Sequence, residues 1–376
     1  MTLLSSPNIC GNELKYVSEC LNTGWVSSVG SYVTRFENEL SKFTGSKFGV
    51  ATSSGTTALH IMLLLAGVKP SDYVIVPNIT FVATLNSIKY LGAEPLIVDV
   101  DDENWQMDLG LLETFLKEKT TIVNNELFFT SNNRRIAAIL PVHILGYSND
   151  MERLLTFSKT FRIPILEDAS ESLGSYFRNK HTGTFGLAGC ISFNGNKILT
   201  TGGGGMIITD NEEFASKAKH LTTQAKADAL EYYHDEVGYN YRLVNVLAAI
   251  GVAQLEKLPE FIEKKRFISN YYKNNLDGIG DISFPTVIKN TTPNNWLFTI
   301  RTKRKNVLLD ILNRKELQSR SLWVPMNELP AYEKCIYVSE KNVSRDLYAS
   351  CLSIPCSTNI SERELENVAK TIIEVF

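Results

Sequence analysis

Between residues 45 and 210 the chain alternates short, continuously apolar runs with longer segments of helical period, and this alternation restricts it to an α/β sheet. Strand candidates are Tyr73 to Pro77 (YVIVP), Pro95 to Val100 (PLIVDV), Ile136 to Val142 (IAAILPV), Ile163 to Glu167 (IPILE), Cys190 to Phe193 and Met206 to Thr209. Most are β-branched and apolar throughout, as strands covered on both faces must be. Gly55 to Ala66 (GTTALHIMLLLA) fits a buried helix and Asp150 to Phe161 an amphipathic one. The predicted class is α/β, a mainly parallel sheet with helices on both faces.

After residue 210 the pattern changes. Val244 to Leu258 is helical and apolar, Pro259 is expected to interrupt it, and Glu260 to Leu276 resumes the helical spacing with charges and aromatics. The boundary falls there: a large domain over 1–258, then a linking helix and a smaller C-terminal α+β domain over 259–376. The small domain offers a strand at Trp296 to Thr302, a helix at Val307 to Leu317 and a final helix at Glu362 to Phe376. The polar stretch Asn124 to Arg135 reads as a surface insertion.

A chain of 376 residues can bury a large core. Its 38 basic and 41 acidic side chains leave a net charge of -3, so there is no overall positive field to attract nucleic acid. Six scattered cysteines form no C-x-x-C pair, which argues against a disulfide framework and a zinc site; no metal is expected. The opening residues MTLLSSPNICGNELK lack a signal-peptide pattern, and no run approaches about 18 uninterrupted apolar residues. The expectation is a cytoplasmic protein without a membrane span.

Four motifs bear on chemistry. Ser53-Ser54-Gly55-Thr56-Thr57 opens the apolar helix, either as an anion site built from N–H groups and hydroxyls or as an ordinary N-cap. Gly202 to Gly205 permits close backbone approach, yet matches neither a dinucleotide loop nor a Walker loop; it is either a tight connection beside a cofactor or neighbouring subunit, or a structural turn. Glu167-Asp168 ends an apolar strand, where ligands of open α/β sheets bind. A carboxylate there can coordinate magnesium, act as a base, pair with a protonated ring nitrogen, or merely sit at a helix start. Lys197 follows another strand end, just before the glycine run, and alone reads as a surface lysine. Taken together, an anion cradle, a strand-end acid and a strand-end lysine are what a pyridoxal phosphate enzyme requires.

The blocks SSGTTAL (from Ser53), PNITFVAT (from Pro77), EDASESLG (from Glu167), SFNGNKILTTGGGG (from Ser192) and GYNYRLVNVLAAIGVAQLE (from Gly238) resemble the DegT/DnrJ/EryC1/StrS family of sugar-nucleotide aminotransferases. The resemblance runs over essentially the whole chain. It implies a homodimer of the type I aminotransferase fold, with pyridoxal 5'-phosphate in the large domain and each active site completed by the neighbouring chain. By the same resemblance Lys197 is the Schiff-base lysine, Asp168 the partner of the pyridine nitrogen, and Phe81 the aromatic over the ring. Thr56, Thr57 and Ser192 match phosphate contacts, and Asn240 the contact from the second subunit. Glu171 stands where relatives often carry His or Gln, a polar position near the cofactor.

The resemblance further implies transfer of an amino group from L-glutamate to C4 of a nucleotide-linked 4-keto-6-deoxy sugar. A UDP-linked N-acetylhexosamine is the first expectation, and GDP-4-keto-6-deoxymannose, leading to perosamine, the alternative. Trp296, Arg320 and Trp323 are candidates for shaping the sugar pocket. A non-catalytic regulatory protein of the same fold would be marked by loss of the lysine or acid, and both are present. A nicotinamide-dependent oxidoreductase lacks support, since no G-x-G-x-x-G follows the first strand.

Overall fold

The computed structural model describes residues 1–228 and 230–376. Four strands run in the order Phe48–Thr52, Gly205–Thr209, Ala188–Ser192, Leu166–Asp168. Six more run in the order Ile336–Val338, Glu94–Val98, Tyr73–Pro77, Arg134–Ile139, Glu126–Phe129, Thr120–Val123. Parallel bridges Ile139 to Ile165 and Val142 to Asp168 join the two sets. Neighbours are parallel from Ala188–Ser192 across to Ile336–Val338, while Gly205–Thr209 lies antiparallel to both its neighbours.

Side-chain alternation along the central strands explains why both faces are covered. Val74 and Val76 pack toward Leu59, Ile61 and Met62 of the helix Gly55–Leu65. Tyr73 and Ile75 face the other way, toward Leu112 and Phe115 of the helix Leu109–Lys119 and Leu154 and Phe157 of the helix Met151–Phe161. The continuously apolar text of these strands is the record of that double burial.

Two sequence expectations need correction. Pro259 does not interrupt its helix: one helix runs from Asn245 to Leu276, 32 residues, with the proline inside. A mid-helix proline costs about 3 kcal/mol, and packing at both ends offsets it. Leu255, Leu258 and Phe261 sit in the core of the large unit, whereas Ile268, Tyr272 and Leu276 sit in that of the C-terminal unit. We propose that the two units meet within this helix, a little beyond Pro259. The second correction concerns Asn124 to Arg135, which is an edge hairpin. Asn124 and Asn125 both take positive φ (50° and 66°) between paired strands, a backbone state that asparagine tolerates.

The C-terminal unit carries a three-stranded sheet in the order Phe298–Arg301, Cys351–Ile354, Arg320–Ser321. The helices Lys305–Arg314 and Glu362–Ile373 bury their apolar faces in the same core as this sheet. The strand Ile336–Val338 leaves this unit and pairs in parallel with Glu94–Val98 of the large sheet. Among the described residues no helix is long and apolar enough to cross a membrane.

Candidate active site

Strand ends, one helix start and the inner wall of the C-terminal unit enclose a cavity of about 540 Å³. Its floor is the start of the helix Gly55–Leu65. Ser54, in extended conformation, caps this helix by accepting the Thr57 N–H at 3.1 Å, while Thr57 Oγ1 accepts the Ser54 N–H at 3.1 Å. The Thr57 hydroxyl is thus absorbed in the capping box, and Thr57 is absent from the cavity lining, whereas Ser54, Gly55, Thr56 and Ser192 face it. A Cβ on Gly55 would stand 3.0 Å from that of Ser192, and one on Gly205 would lie 2.5 Å from the Ser54 carbonyl. The glycine run therefore lets the strand Gly205–Thr209 press against the helix start, with Gly203 and Gly204 on the cavity wall.

The two adjacent acids divide their work because strand neighbours point to opposite faces. Asp168 turns to the cavity, where the Thr84 hydroxyl donates to it at 2.8 Å and the Ser170 N–H at 3.1 Å. Glu167 turns inward and is fully buried. It accepts the N–H groups of Gly183 (2.7 Å), Phe185 (2.6 Å) and Gly186 (2.7 Å) and lies 3.0 Å from His143 Nε2. Burial alone would raise its pKa, but His143 and these N–H groups hold it below the usual carboxylate range. Glu167 is a structural organiser; Asp168 is the acid offered to a ligand.

Lys197 follows the strand Ala188–Ser192 and brings its ammonium to 3.7 Å from Glu171 Oε1 and 3.7 Å from the centroid of the Trp296 ring. Burial pushes the Lys197 ammonium below its ordinary pKa, against the pull of Glu171 and Asp168. The same burial pushes the Glu171 carboxyl up to about 7, with Lys197 working in the opposite direction. Glu171 is fixed at its other oxygen by the Leu145 N–H at 2.7 Å. Trp296 is held by its indole N–H, which donates to the Asn196 carbonyl at 2.7 Å. Phe81 lies on the cavity wall with 55% of its surface open.

Of the candidate residues, the fold gathers Thr56, Phe81, Asp168, Glu171, Ser192 and Lys197 at one cavity and places Asn240 elsewhere. Asn240 is exposed. Its flanking residues Tyr239 and Tyr241 stack on each other at 5.0 Å and pack edge-on against His60, on the helix that starts at the cradle. Residues that sequence reasoning missed are Thr84 and Ser170, which hold Asp168, and His143 behind Glu167. His143 closely follows the apolar run that ends at Val142, so the strand-end rule that singled out Asp168 would have found it as well.

This donor set fits pyridoxal phosphate. The helix start with its small hydroxyls and a glycine whose Cβ would crowd Ser192 suits a phosphate; the Asp168 carboxylate suits a protonated ring nitrogen; Lys197, with its lowered pKa, suits a carbonyl carbon. Together with the sheet order, these features define a pyridoxal phosphate aminotransferase of the type I fold. Residues 7–373 match the model of the DegT/DnrJ/EryC1/StrS aminotransferase family, and the chain belongs to it.

A protein described as the putative pyridoxal phosphate-dependent aminotransferase EpsN of Bacillus subtilis is 35% identical, the match covering 99% of this chain and 95% of that one. The GDP-perosamine synthase of Escherichia coli O157:H7 is 34% identical over 98% of this chain and 97% of its own. Among solved structures, a DegT DnrJ EryC1 StrS aminotransferase from Brucella abortus superposes with a TM-score of 0.90 at 25% identity, covering 97% of this chain and 95% of that one.

Proposed function

We propose that this enzyme aminates C4 of a nucleotide-linked 4-keto-6-deoxy sugar, with GDP-4-keto-6-deoxymannose as acceptor and L-glutamate as donor. The observation that carries the chemistry is the placement of the Lys197 ammonium in a cavity that also presents Asp168, Phe81 and the phosphate cradle. The choice of sugar is supported by relatives: proteins named GDP-perosamine synthase from Escherichia coli, Caulobacter vibrioides and Vibrio cholerae are 34%, 33% and 31% identical over 98–99% of the chain. Their names favour the GDP-linked acceptor over the UDP-linked N-acetylhexosamine that the motifs first suggested.

Bound pyridoxal phosphate supplies the electron sink that makes the C–H bond beside the migrating nitrogen acidic. Thr56, Ser192 and the helix start would hold its phosphate, and Asp168 would keep the proton on its ring nitrogen, with Thr84 fixing the orientation of that carboxylate. Phe81, open on the cavity wall, would cover one face of the ring. Lys197 Nζ takes the proton from the α-carbon of glutamate and returns one to C4 of the sugar in the second half of the cycle. Glu171, whose carboxyl titrates at about 7, is the group nearest Lys197 able to accept or give back a proton there. Asn240 completes the cradle of the partner subunit in a homodimer.

The test is a panel of GDP-, UDP- and dTDP-linked 4-keto-6-deoxy sugars with glutamate, read by mass spectrometry for replacement of the carbonyl oxygen by an amine. The GDP-linked sugar should be turned over preferentially, and Lys197→Ala should abolish turnover. Preference for a UDP-linked sugar would reverse the choice of nucleotide; cofactor trapped by borohydride on a lysine other than Lys197 would overturn the site.

A further inference from the structure

Trp296, just ahead of the strand Phe298–Arg301, is tied at each of its polar atoms. Its main-chain N–H donates to Asn294 Oδ1 at 2.8 Å, its carbonyl accepts the ammonium of Lys265 at 2.7 Å, and its indole N–H donates to the Asn196 carbonyl at 2.7 Å. Lys265 is buried in the helix Asn245–Leu276 and also donates to the Cys356 carbonyl at 2.6 Å. Asn294 turns its amide nitrogen on the carbonyls of Glu171 and Leu173, each at 2.9 Å. One side chain thus fixes the backbone of Trp296 against the backbone of Glu171.

The Lys197 ammonium stands between these two residues, 3.7 Å from Glu171 Oε1 and 3.7 Å from the centroid of the Trp296 ring. The first distance is too long for a hydrogen bond. The second lies well inside the roughly 6 Å over which the face of an indole attracts a cation. Trp296 is only 3% exposed, so water screens that attraction little. So many ties on a ring that meets the ammonium face-on are more than the wall of a sugar pocket requires.

A lysine that carries a proton exists for part of each cycle as a free ammonium, from the moment Nζ takes the proton from the donor's α-carbon until it delivers it. In that interval the side chain needs a resting place that favours the charged form and then releases it. A π face does both: it attracts the ammonium, engages none of its N–H groups in a directed hydrogen bond, and loses its hold once Nζ is neutral. We propose that the ring face of Trp296 is the seat of the Lys197 ammonium during proton transfer. This assignment rests on the reading of Lys197 as the cofactor lysine.

The test uses the cofactor-free protein, in which Lys197 is a free amine: competitive acetylation over a pH series, read at that lysine by mass spectrometry. Asp168, Glu171 and Cys190 face Lys197 from the large unit, Arg320 lines the same cavity from the C-terminal unit, and all four stay unchanged in the variants. Trp296→Leu should lower the apparent pKa of Lys197 by about one pH unit, since the charged form loses its partner. Trp296→Phe loses the same indole N–H but keeps a ring face, and should lower it by clearly less. Ring-fluorinated tryptophan at position 296 keeps the shape and the N–H while drawing charge from the face, and the value should fall stepwise with the number of fluorines. An unchanged or raised value in Trp296→Leu, or equal values in the leucine and phenylalanine variants, overturns the seat. Should Trp296→Leu fail to fold, the fluorine series decides, and the absence of a stepwise fall overturns it. Borohydride trapping of the loaded wild type keeps the two failures apart: cofactor fixed on Lys197 leaves the functional reading standing whichever way the seat is decided, and cofactor fixed on another lysine overturns that reading and the seat with it.

Discussion

Replacing Glu167 by alanine strips the acceptor from one buried N–H group, of Gly183, and from two half-buried ones, of Phe185 and Gly186, and leaves His143 Nε2 without its partner. A buried donor deprived of its acceptor costs about 1–3 kcal/mol, and removing one member of a buried pair about 3–5 kcal/mol. Since the loop over 183–186 can relax and admit water, the expected loss is about 4 kcal/mol. Glu167→Gln is a finer instrument. Its amide oxygen can keep the bonds to Phe185 and Gly186, but its nitrogen then faces the Gly183 N–H, donor against donor, at a cost of about 2 kcal/mol.

The pH dependence has a definite sign. The carboxyl is held below its ordinary value of 4.5 in the fold, so its stabilisation is present above about that pH and is lost as the pH falls through the folded value. The gap between wild type and Glu167→Gln should therefore be full at pH 7 and shrink in acid. Urea midpoints at pH 7 and pH 4 measure it. Coincident midpoints at pH 7, or a gap that widens in acid, would refute the account of Glu167 as the organiser of this turn.

Asp168→Asn should retain cofactor through the phosphate cradle and lose turnover by about 2 kcal/mol or more in the transition state; near-normal turnover would demote Asp168 to a structural acid. In Glu171→Gln the inflection near pH 7 in the rate profile should vanish. Stability should respond too: an unfolded glutamate ionises near 4.5 while the folded one keeps its proton to about 7, so wild type should lose stability relative to this variant as the pH rises through that window. A melting series that runs parallel for the two proteins would contradict this. Mixed dimers of Asn240→Ala and Lys197→Ala chains should regain activity in one site per dimer; no recovery after verified subunit exchange would confine Asn240 to its own chain or to no role.

The buried strands were legible because double burial demands continuous apolar text, and the helix start at Ser54 because caps have a short vocabulary. Asp168 and Lys197 were readable by their places after strands. Thr84 was not, for nothing local says that a threonine in a helical turn will reach an acid far along the chain. Pro259 misled because helix propensity is a local term, and the cores that hold Leu258 and Tyr272 are assembled from distant segments. Trp296 and Arg320 could be named as pocket candidates but not given neighbours, since their segments reach the cavity only through tertiary packing. The hairpin at Asn124 went unseen because its strands are only four residues each and fully bury a single side chain, Leu127, so they carry little of the apolar alternation that betrays a buried strand.

The pairing of Ile336–Val338 with Glu94–Val98 carries a consequence for the life of the nascent chain. One flank of Glu94–Val98 finds Tyr73–Pro77 early, but the other waits for a partner encoded roughly 240 residues downstream. At about 5–20 residues per second of synthesis that flank stays unpaired for roughly 10–50 s. Throughout that interval the ribosome displays an apolar strand with a free row of amide and carbonyl groups, the type of template on which foreign strands dock. Shortening the chain before residue 336 should yield material that self-associates, even though every residue of the cofactor cradle has been made.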